Sequence, residues 1–486
     1  MLGSCLKVTL FHSPHSDPRL QLAWNSAQLG WLLLPFSPLA GGFGIFIALI
    51  FTYKHQWDRI CRHWPNRLLM VLSLWMIGAA SLGRDRTQAF IGLANFLPFF
   101  FGFIGLSSLL QTPTQLRRLA WLLILPSLPI ALIGWGQLFW GWSGPIQLWF
   151  LIHWPLDANG LPPGRMAAVF AHANVFASYL IVLFILNLGL WIEACRRLRR
   201  DSPSGKSNLS EMLQTFRPPQ TWLQWSFLSL SLLANSIALL LSNSRNAWAV
   251  TVLACLAFAL YQGWRWLVAI VAAAATSILG AAFAPAPLQT WLRHLVPAFF
   301  WMRLTDQGFD RPTGTLRITQ WRFAWSLTQQ RPWTGWGLRN FAPLYQDRTQ
   351  VWMSHPHNLF LMLTAETGIP ATLMFCGIVG WILYQGISLL RHWSAINSNE
   401  SDRLLLFTTL TAFGACTLFS TLDVTLFDLR VNLLGWTLLA AIAGLVYQQR
   451  QPYSSELLSQ GKQREQGARS VSGFPKGRVK GKRVKG

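Results

Sequence analysis

Apolar runs of bilayer length recur along this chain, and they limit what it can fold into. Crossing the hydrocarbon core of a membrane takes roughly 20 consecutive apolar residues. Backbone N–H and C=O groups meet no water there, so each run must satisfy its own hydrogen bonds as a helix. Such runs lie at 67–82, 87–110, 118–140, 168–192, 224–242, 247–262, 266–285, 357–390, 404–422 and 429–448. An earlier stretch, Leu22 to Tyr53, is interrupted by Pro35, Pro38, Gly41 and Gly42 and reads as two short helices or one tilted helix. The expected fold is therefore all-α, a polytopic membrane bundle of about 11–12 transmembrane helices within 21–448. A polar segment at 1–20 precedes it, one long extracytoplasmic loop at 286–356 interrupts it, and a basic, disordered cytoplasmic tail at 449–486 follows.

Composition agrees. Charged residues make up 12% of the chain, against roughly 25% in soluble domains. The 27 Trp suit membrane–water boundaries, where an apolar ring with one N–H is at home. The net charge of +23 sits in loops and the tail rather than on one amphipathic face, so nucleic acid is not an expected partner. The six Cys show no CxxC or other metal spacing, and neither a disulfide framework nor a zinc site is expected. The first twenty residues lack the apolar core of a cleavable signal peptide.

Basic residues set the orientation. Loop 53–66 carries Lys54, Arg59 and Arg62, and loop 193–223 carries Arg196, Arg197, Arg199, Arg200, Lys206 and Arg217. With the tail, the span order places these on one side, the cytoplasmic one. The other side receives 83–86, 141–167, 243–246, 286–356 and 423–428. The long loop holds Arg293, Arg303, Arg311, Arg317, Arg322, Arg331, Arg339 and Arg348, and no Lys. Arginine presents a planar fork of donors that fits phosphate oxygens in pairs. A GC-rich genome or interfacial Arg–Trp packing would give the same bias.

Candidates for chemistry lie on that external side. Arg245, in Ser242-Asn243-Ser244-Arg245-Asn246-Ala247-Trp248, is a charge at the mouth of two spans, either snorkelling or facing a polar pocket. His357, in Ser354-His355-Pro356-His357-Asn358, opens a long helix, as a general base or as an interfacial residue. Glu366 lies about 13 Å further along that helix and reads as a brace. Arg84 and Arg86, Arg165 before His172-Ala173-Asn174, and Asp423 and Asp428 map to the same face. There is no P-loop, no dinucleotide fingerprint, no HExxH and no DxD cluster.

These blocks resemble the O-antigen ligase and polymerase superfamily of bacterial membrane proteins, over roughly residues 160–450. Gly164-Arg165 followed by His172-Ala173-Asn174 is similar to a segment ending Asn-Pro-Asn, departing at the first two of those three positions. Ser244-Arg245-Asn246-Ala247-Trp248 is similar to the family's Ser-Arg-x-Ala-Trp block. Arg317-Ile318-Thr319-Gln320-Trp321, with Pro332, Gly335, Gly337 and Phe341, is similar to its long loop. His357-Asn358 followed by Gly368-Ile369-Pro370-Ala371 resembles its His-Asn-x9-Gly-x-x-Gly/Thr signature, departing at Ala371.

The resemblance implies a twelve-helix, metal- and cofactor-independent, inverting glycosyltransferase of the bacterial inner membrane. It would move a glycan from a polyprenyl-diphosphate carrier to a hydroxyl of a glycan or lipid acceptor. His357 would be the catalytic base. Arg245 and Arg317, or Arg322 in place of Arg317, would bind the diphosphate. Arg165, Asn174, Arg86 and Asn358 would line the pocket. The alternative is a role in bicarbonate accumulation or transport, to which some members of the superfamily in photosynthetic bacteria are linked.

Overall fold

The computed structural model describes residues 14–149, 151–201, 220–305, 313–396 and 399–449. In chain order the helices are α1 (Gln21–Leu33), α2 (Pro38–Arg62), α3 (Trp64–Ser81), α4 (Arg86–Leu93), α5 (Leu97–Leu109), α6 (Pro113–Ile124) and α7 (Ser127–Phe139). A β-hairpin, β1 (Gly144–Leu148) and β2 (Ile152–Leu156), follows. Then come α8 (Ala173–Asp201), α9 (Gln220–Leu241), α10 (Arg245–Gln262) and α11 (Arg265–Phe283). The remainder is α12 (Ala286–Leu295), α13 (Ala298–Leu304), α14 (Arg317–Gln330), α15 (Phe341–Thr349), α16 (Leu359–Thr367), α17 (Ile369–Ile396), α18 (Glu400–Phe419) and α19 (Leu429–Gln449).

Among the described residues, eight helical segments are long and apolar enough to cross a membrane: α4 with α5, α6 with α7, α8, α9, α11, α17, α18 and α19. The shorter or more polar α1, α2, α3 and α10 run alongside them. The protein is a polytopic helical membrane protein. Its centre is built on α8 and α19, each 83% buried over its apolar window, whereas α11 at 11% lies on the rim.

Contacts sort the loops into two ends. At one end, Gln56 donates to Asp17 (3.1 Å), and Arg59 donates to Gln111 (3.0 Å) and Gln448 (2.9 Å). Buried Glu193 accepts there from Arg117 (3.1 Å) and Arg197, and Arg117 also reaches Asp402 (2.9 Å). The opposite end gathers the α1–α2 turn, the hairpin and the segments around 84, 165–174, 242–246, 331–358 and 419–430. Helices that alternate between these ends bring both termini of the described region to the first.

Several expectations are modified. The stretch from Leu22 does form two helices, but the second is not short. No breaker intervenes before His63-Trp64-Pro65, so α2 absorbs most of loop 53–66 and bends at Gln56. α1 and α2 pack closely because glycines face each other: a Cβ on Gly30 would lie 2.9 Å from the Gly41 carbonyl oxygen. Small residues permit this approach where no hydrophobic force drives helices together in lipid. The run 357–390 breaks at Gly368 into α16 and α17. The described part of 286–356 is largely helical rather than loop, in α12 to α15. The all-α expectation holds; the small β1–β2 hairpin, with Gly144 opposite Leu156 and Leu148 opposite Ile152, is an addition to it. The tail from 450 and Lys206 and Arg217 of loop 193–223 fall outside the described residues.

Candidate functional site

Two of the sequence blocks pack against each other and build the platform for His357. The segment 332–341 docks on the α16–α17 break through Ile369 N–H to Pro332 (2.7 Å), Trp336 N–H to Ala365 (2.9 Å) and Gly337 N–H to Glu366 (2.9 Å). The Glu366 carboxylate accepts from the Phe341 N–H at 3.2 Å, so it braces this junction as expected. Gly335 and Gly368 both have positive φ (66° and 86°). A Cβ on Gly368 would come within 2.2 Å of the Trp333 carbonyl oxygen. The glycines therefore permit both the backbone conformation and the close approach.

Asn358 starts α16. Its side-chain oxygen accepts from Leu361 N–H (3.0 Å), an N-cap, and its amide donates to the Thr421 carbonyl (2.9 Å). Leu359 N–H reaches Ser420 (2.9 Å), and Asn246 donates to Phe419 (3.0 Å). These bonds fix the loop that follows α18. Arg430 holds its far side, forking onto Asp428 (3.0 and 2.6 Å) and donating to Val169 (3.0 Å). Asn358 thus shapes the site through the backbone.

On this fixed loop, Asp423 meets His357. His357 Nδ1 lies 2.9 Å from Asp423 Oδ1, which also accepts from Val424 N–H at 2.9 Å. Asp423 Oδ2 accepts from the Asn174 amide at 2.7 Å. Arg165 donates to Asn174 and to the Ser242 carbonyl, the latter at 2.9 Å. A continuous relay thus runs Ser242–Arg165–Asn174–Asp423–His357. Burial works against the charged form of Asp423, but the hydrogen bond and charge of His357, with His355 and the Val424 amide, outweigh it and hold the carboxyl at about 2. An ionised carboxylate only accepts. His357 Nδ1 therefore donates to it, and Nε2 is the ring nitrogen that Asp423 leaves unengaged.

His357 has φ +51°, a left-handed conformation that costs a non-glycine residue roughly 1–2 kcal/mol. The Asp423 contact and a bond from its own N–H to His355 Nδ1 (3.2 Å) hold it there. His355 is buried and stacks on Phe427 with ring centroids 5.7 Å apart. Burial first, then His357, with a further contribution from Arg317, pushes His355 down to about 4. His172 is likewise lowered by burial and by Arg165. His355, His357 and Asp423 each offer a ligand atom, all within 4.8 Å of one another, a spacing that could hold a metal ion. The sequence did not signal this, because Asp423 lies far from the two histidines along the chain.

His357 opens into a cavity of about 790 Å³, whose lining includes Asp85, Gln88, Asn174, Arg339, Trp352 and Asp423. A second, apolar cavity of about 250 Å³ lies beside it between α16, α17, α18 and α19, lined by Leu359, Phe375, Val379, Leu383, Phe413 and Leu439 among others. Thr425 belongs to both walls.

Of the expected site residues, His357 and Asn174 line the larger cavity and Arg165 joins them through the relay. Arg317, the first residue of α14, is close enough for its charge to act on His355. Arg245, the first residue of α10, and Arg322 on α14 are exposed and do not line the cavity wall. Arg86 is exposed at the start of α4, while its neighbours Asp85 and Gln88 face the cavity. Arg339 is the arginine in that wall. In sequence it stood out only as one of the external arginines.

The helical bundle and the polar cavity at one end define a multi-pass membrane protein with a His–Asp centre. Residues 230–376 match the family model described as O-antigen ligase, and the chain carries an O-antigen ligase-like domain there. The match contains Arg245, Arg317, Arg322, Arg339, His357 and Asn358, whereas Arg165, Asn174 and Asp423 lie outside it. Comparison with curated proteins returns no match.

Proposed function

We propose that the protein is an inverting glycosyltransferase that moves a glycan from a polyprenyl-diphosphate carrier to an acceptor hydroxyl. The observation that carries this reading is the Asp423–His357 contact at the mouth of a polar cavity, in a chain with an O-antigen ligase-like domain. The acceptor oxygen attacks the anomeric carbon as its proton passes to His357 Nε2. The bond from that carbon to the diphosphate oxygen breaks, and the polyprenyl diphosphate leaves with the electron pair. Attack from the face opposite the leaving group inverts the configuration.

Diphosphate leaves readily once its charge is neutralised, and arginines serve that purpose. Arg339 lines the cavity and the charge of Arg317 reaches His355, with Arg245 and Arg322 exposed at the same end. A base contributes typically 10²–10⁴-fold, so positioning and arginine electrostatics supply the rest. The neighbouring apolar cavity suits the isoprenoid chain of the carrier, with the shared Thr425 wall at the junction of lipid and sugar. The opposite end carries Lys54, Arg59, Arg62, Arg196, Arg197, Arg199 and Arg200. It is therefore assigned to the cytoplasm of a bacterial inner membrane, and the cavity faces outward.

His357→Ala and Arg245→Ala are expected to abolish surface glycan while the protein remains in the membrane. Unchanged glycan in both variants, at normal protein level, would overturn the reading. Uptake of labelled bicarbonate into vesicles containing only this protein would favour the transport alternative.

A further inference from the structure

We propose that the β1–β2 hairpin is an interfacial anchor: it lies among the lipid headgroups at the cavity end, and its tip enters the acyl boundary. From Phe139 to Leu156 the sequence has no charged residue and contains Trp140, Trp142, Trp149 and Trp154. Most of its apolar side chains point outward, whereas Leu156 is buried and Trp154 packs against the bundle. Trp149 is 85% exposed, Trp140 66%, Phe139 65% and Leu148 61%. A contiguous apolar surface of this kind marks an interaction site.

Three observations name lipid as the occupant. The hairpin follows directly on the spanning segment Pro113–Phe139, so it leaves the bundle at the membrane boundary. It is tied to that level by Ser37, which donates to the Leu151 carbonyl, and by the Trp154 indole, which donates to Phe36 at 2.7 Å. Immediately past Ser37, the exposed stripe Leu39, Phe43, Phe46 and Ile50 runs down α2 at helical spacing, so the hairpin continues a lipid-facing surface.

A protein partner would require hydrogen-bonding groups at the rim, about one bond per 100–200 Å². Here Gln147 and His153 face each other across the strands at 2.9 Å. The tryptophans match the aromatic belt at a bilayer surface. Strands of five residues reach about 17 Å, and the Leu151 bond to Ser37 sets the tip beside the start of the exposed α2 stripe. This inference is independent of the catalytic reading.

The test uses full-length, cysteine-depleted protein in phosphatidylethanolamine–phosphatidylglycerol vesicles. An environment-sensitive fluorophore is placed through Trp149→Cys, through Leu148→Cys as a second tip variant, and through Asp347→Cys as an aqueous reference on α15. The tip labels are expected to emit at shorter wavelength than the reference. Lipids with a nitroxide high on the acyl chain should quench them at least threefold more than aqueous iodide does, and the order should reverse at 347. Iodide quenching at both tip positions equal to that at 347 would overturn the proposal. Disulfide-linked dimers formed through Cys at 148 or 149 would also overturn it, assigning the tip to a second copy of the chain.

Discussion

Replacing Asp423 by Asn keeps the shape of the side chain and changes only what its two terminal atoms offer. Oδ1 receives the His357 Nδ1–H and the Val424 N–H, both at 2.9 Å, and Oδ2 receives the Asn174 amide at 2.7 Å. An asparagine has one acceptor atom and one donor atom for these three donors. With its NH₂ toward Asn174, two donors face each other, at a cost of about 1–3 kcal/mol for the buried mismatch. With its NH₂ toward His357, the imidazole must present Nδ1 as an acceptor. Its proton then moves to Nε2, and the base is lost. The native carboxylate is lowered from an ordinary value near 3.8 to about 2, which corresponds to about 2 kcal/mol in favour of the charged form. That contribution is fully present above about pH 4 and is lost only as pH falls through 2, so acid does not mimic the substitution in any ordinary assay. Transfer from a lipid-linked donor in proteoliposomes is expected to fall about 10²–10⁴-fold, the worth of a general base. Asp423→Asn added to His357→Ala should cost nothing more. Activity within twofold of wild type in Asp423→Asn, or additive losses in the double variant, would refute the relay.

The remaining expectations concern the histidine beside the base, the metal question and the platform. His355, held at about 4, stays neutral in the folded protein while an unfolded histidine protonates near 6.5. Stability is therefore full above pH 6.5 and declines toward pH 4 by about 3 kcal/mol; His355→Gln should flatten this slope in thermal unfolding, and an unchanged slope would contradict the assignment. EDTA is expected to leave glycan transfer unaltered, whereas loss restored by added Zn²⁺ would place a working metal on His355, His357 and Asp423. Gly368→Ala combines a positive φ of 86° with a Cβ 2.2 Å from the Trp333 carbonyl oxygen. It should destabilise by about 2–4 kcal/mol, read as aggregation or a lowered Tm in detergent, and a Tm unchanged within one degree would show that the junction yields freely.

The bundle was legible because membrane helices announce themselves by length and apolarity, which is a local property. What was misread depended on finer signals. α2 runs through Lys54, Gln56 and Arg59, residues that read as a loop by polarity yet break no helix. α12 places Leu288, Trp291, Leu292 and Leu295 at helical spacing, but ten residues are too few to stand out beside spans of twenty or more. The hairpin does alternate, with Ile146 and Leu148 opposite Trp154 and Ile152 and with Gln147 opposite His153, but two five-residue strands each holding a proline are too short to stand out beside the spans. His357, Arg165 and Asn174 stood out in their blocks, and Asp423 joins them by hydrogen bonds. The partnership with Asp423 was not legible, because tertiary packing alone brings residues 174, 357 and 423 together. The available clue was a pair of acids, Asp423 and Asp428, in a short turn between two spans at the same end. Arg339 lining the cavity and the outward position of Arg322 depend on how α14 and α15 fold back, which no spacing encodes.

The central claim is that the His357 cavity transfers a glycan. The direct measurement reconstitutes the purified protein in vesicles with a radiolabelled polyprenyl-diphosphate glycan and an acceptor glycan on the outer face. Released polyprenyl diphosphate and extended acceptor are then counted. The account expects the two products in equal amounts with wild type, and neither above background with His357→Ala. Release without extension, equal turnover in His357→Ala, or no turnover by wild type alongside bicarbonate uptake would contradict it.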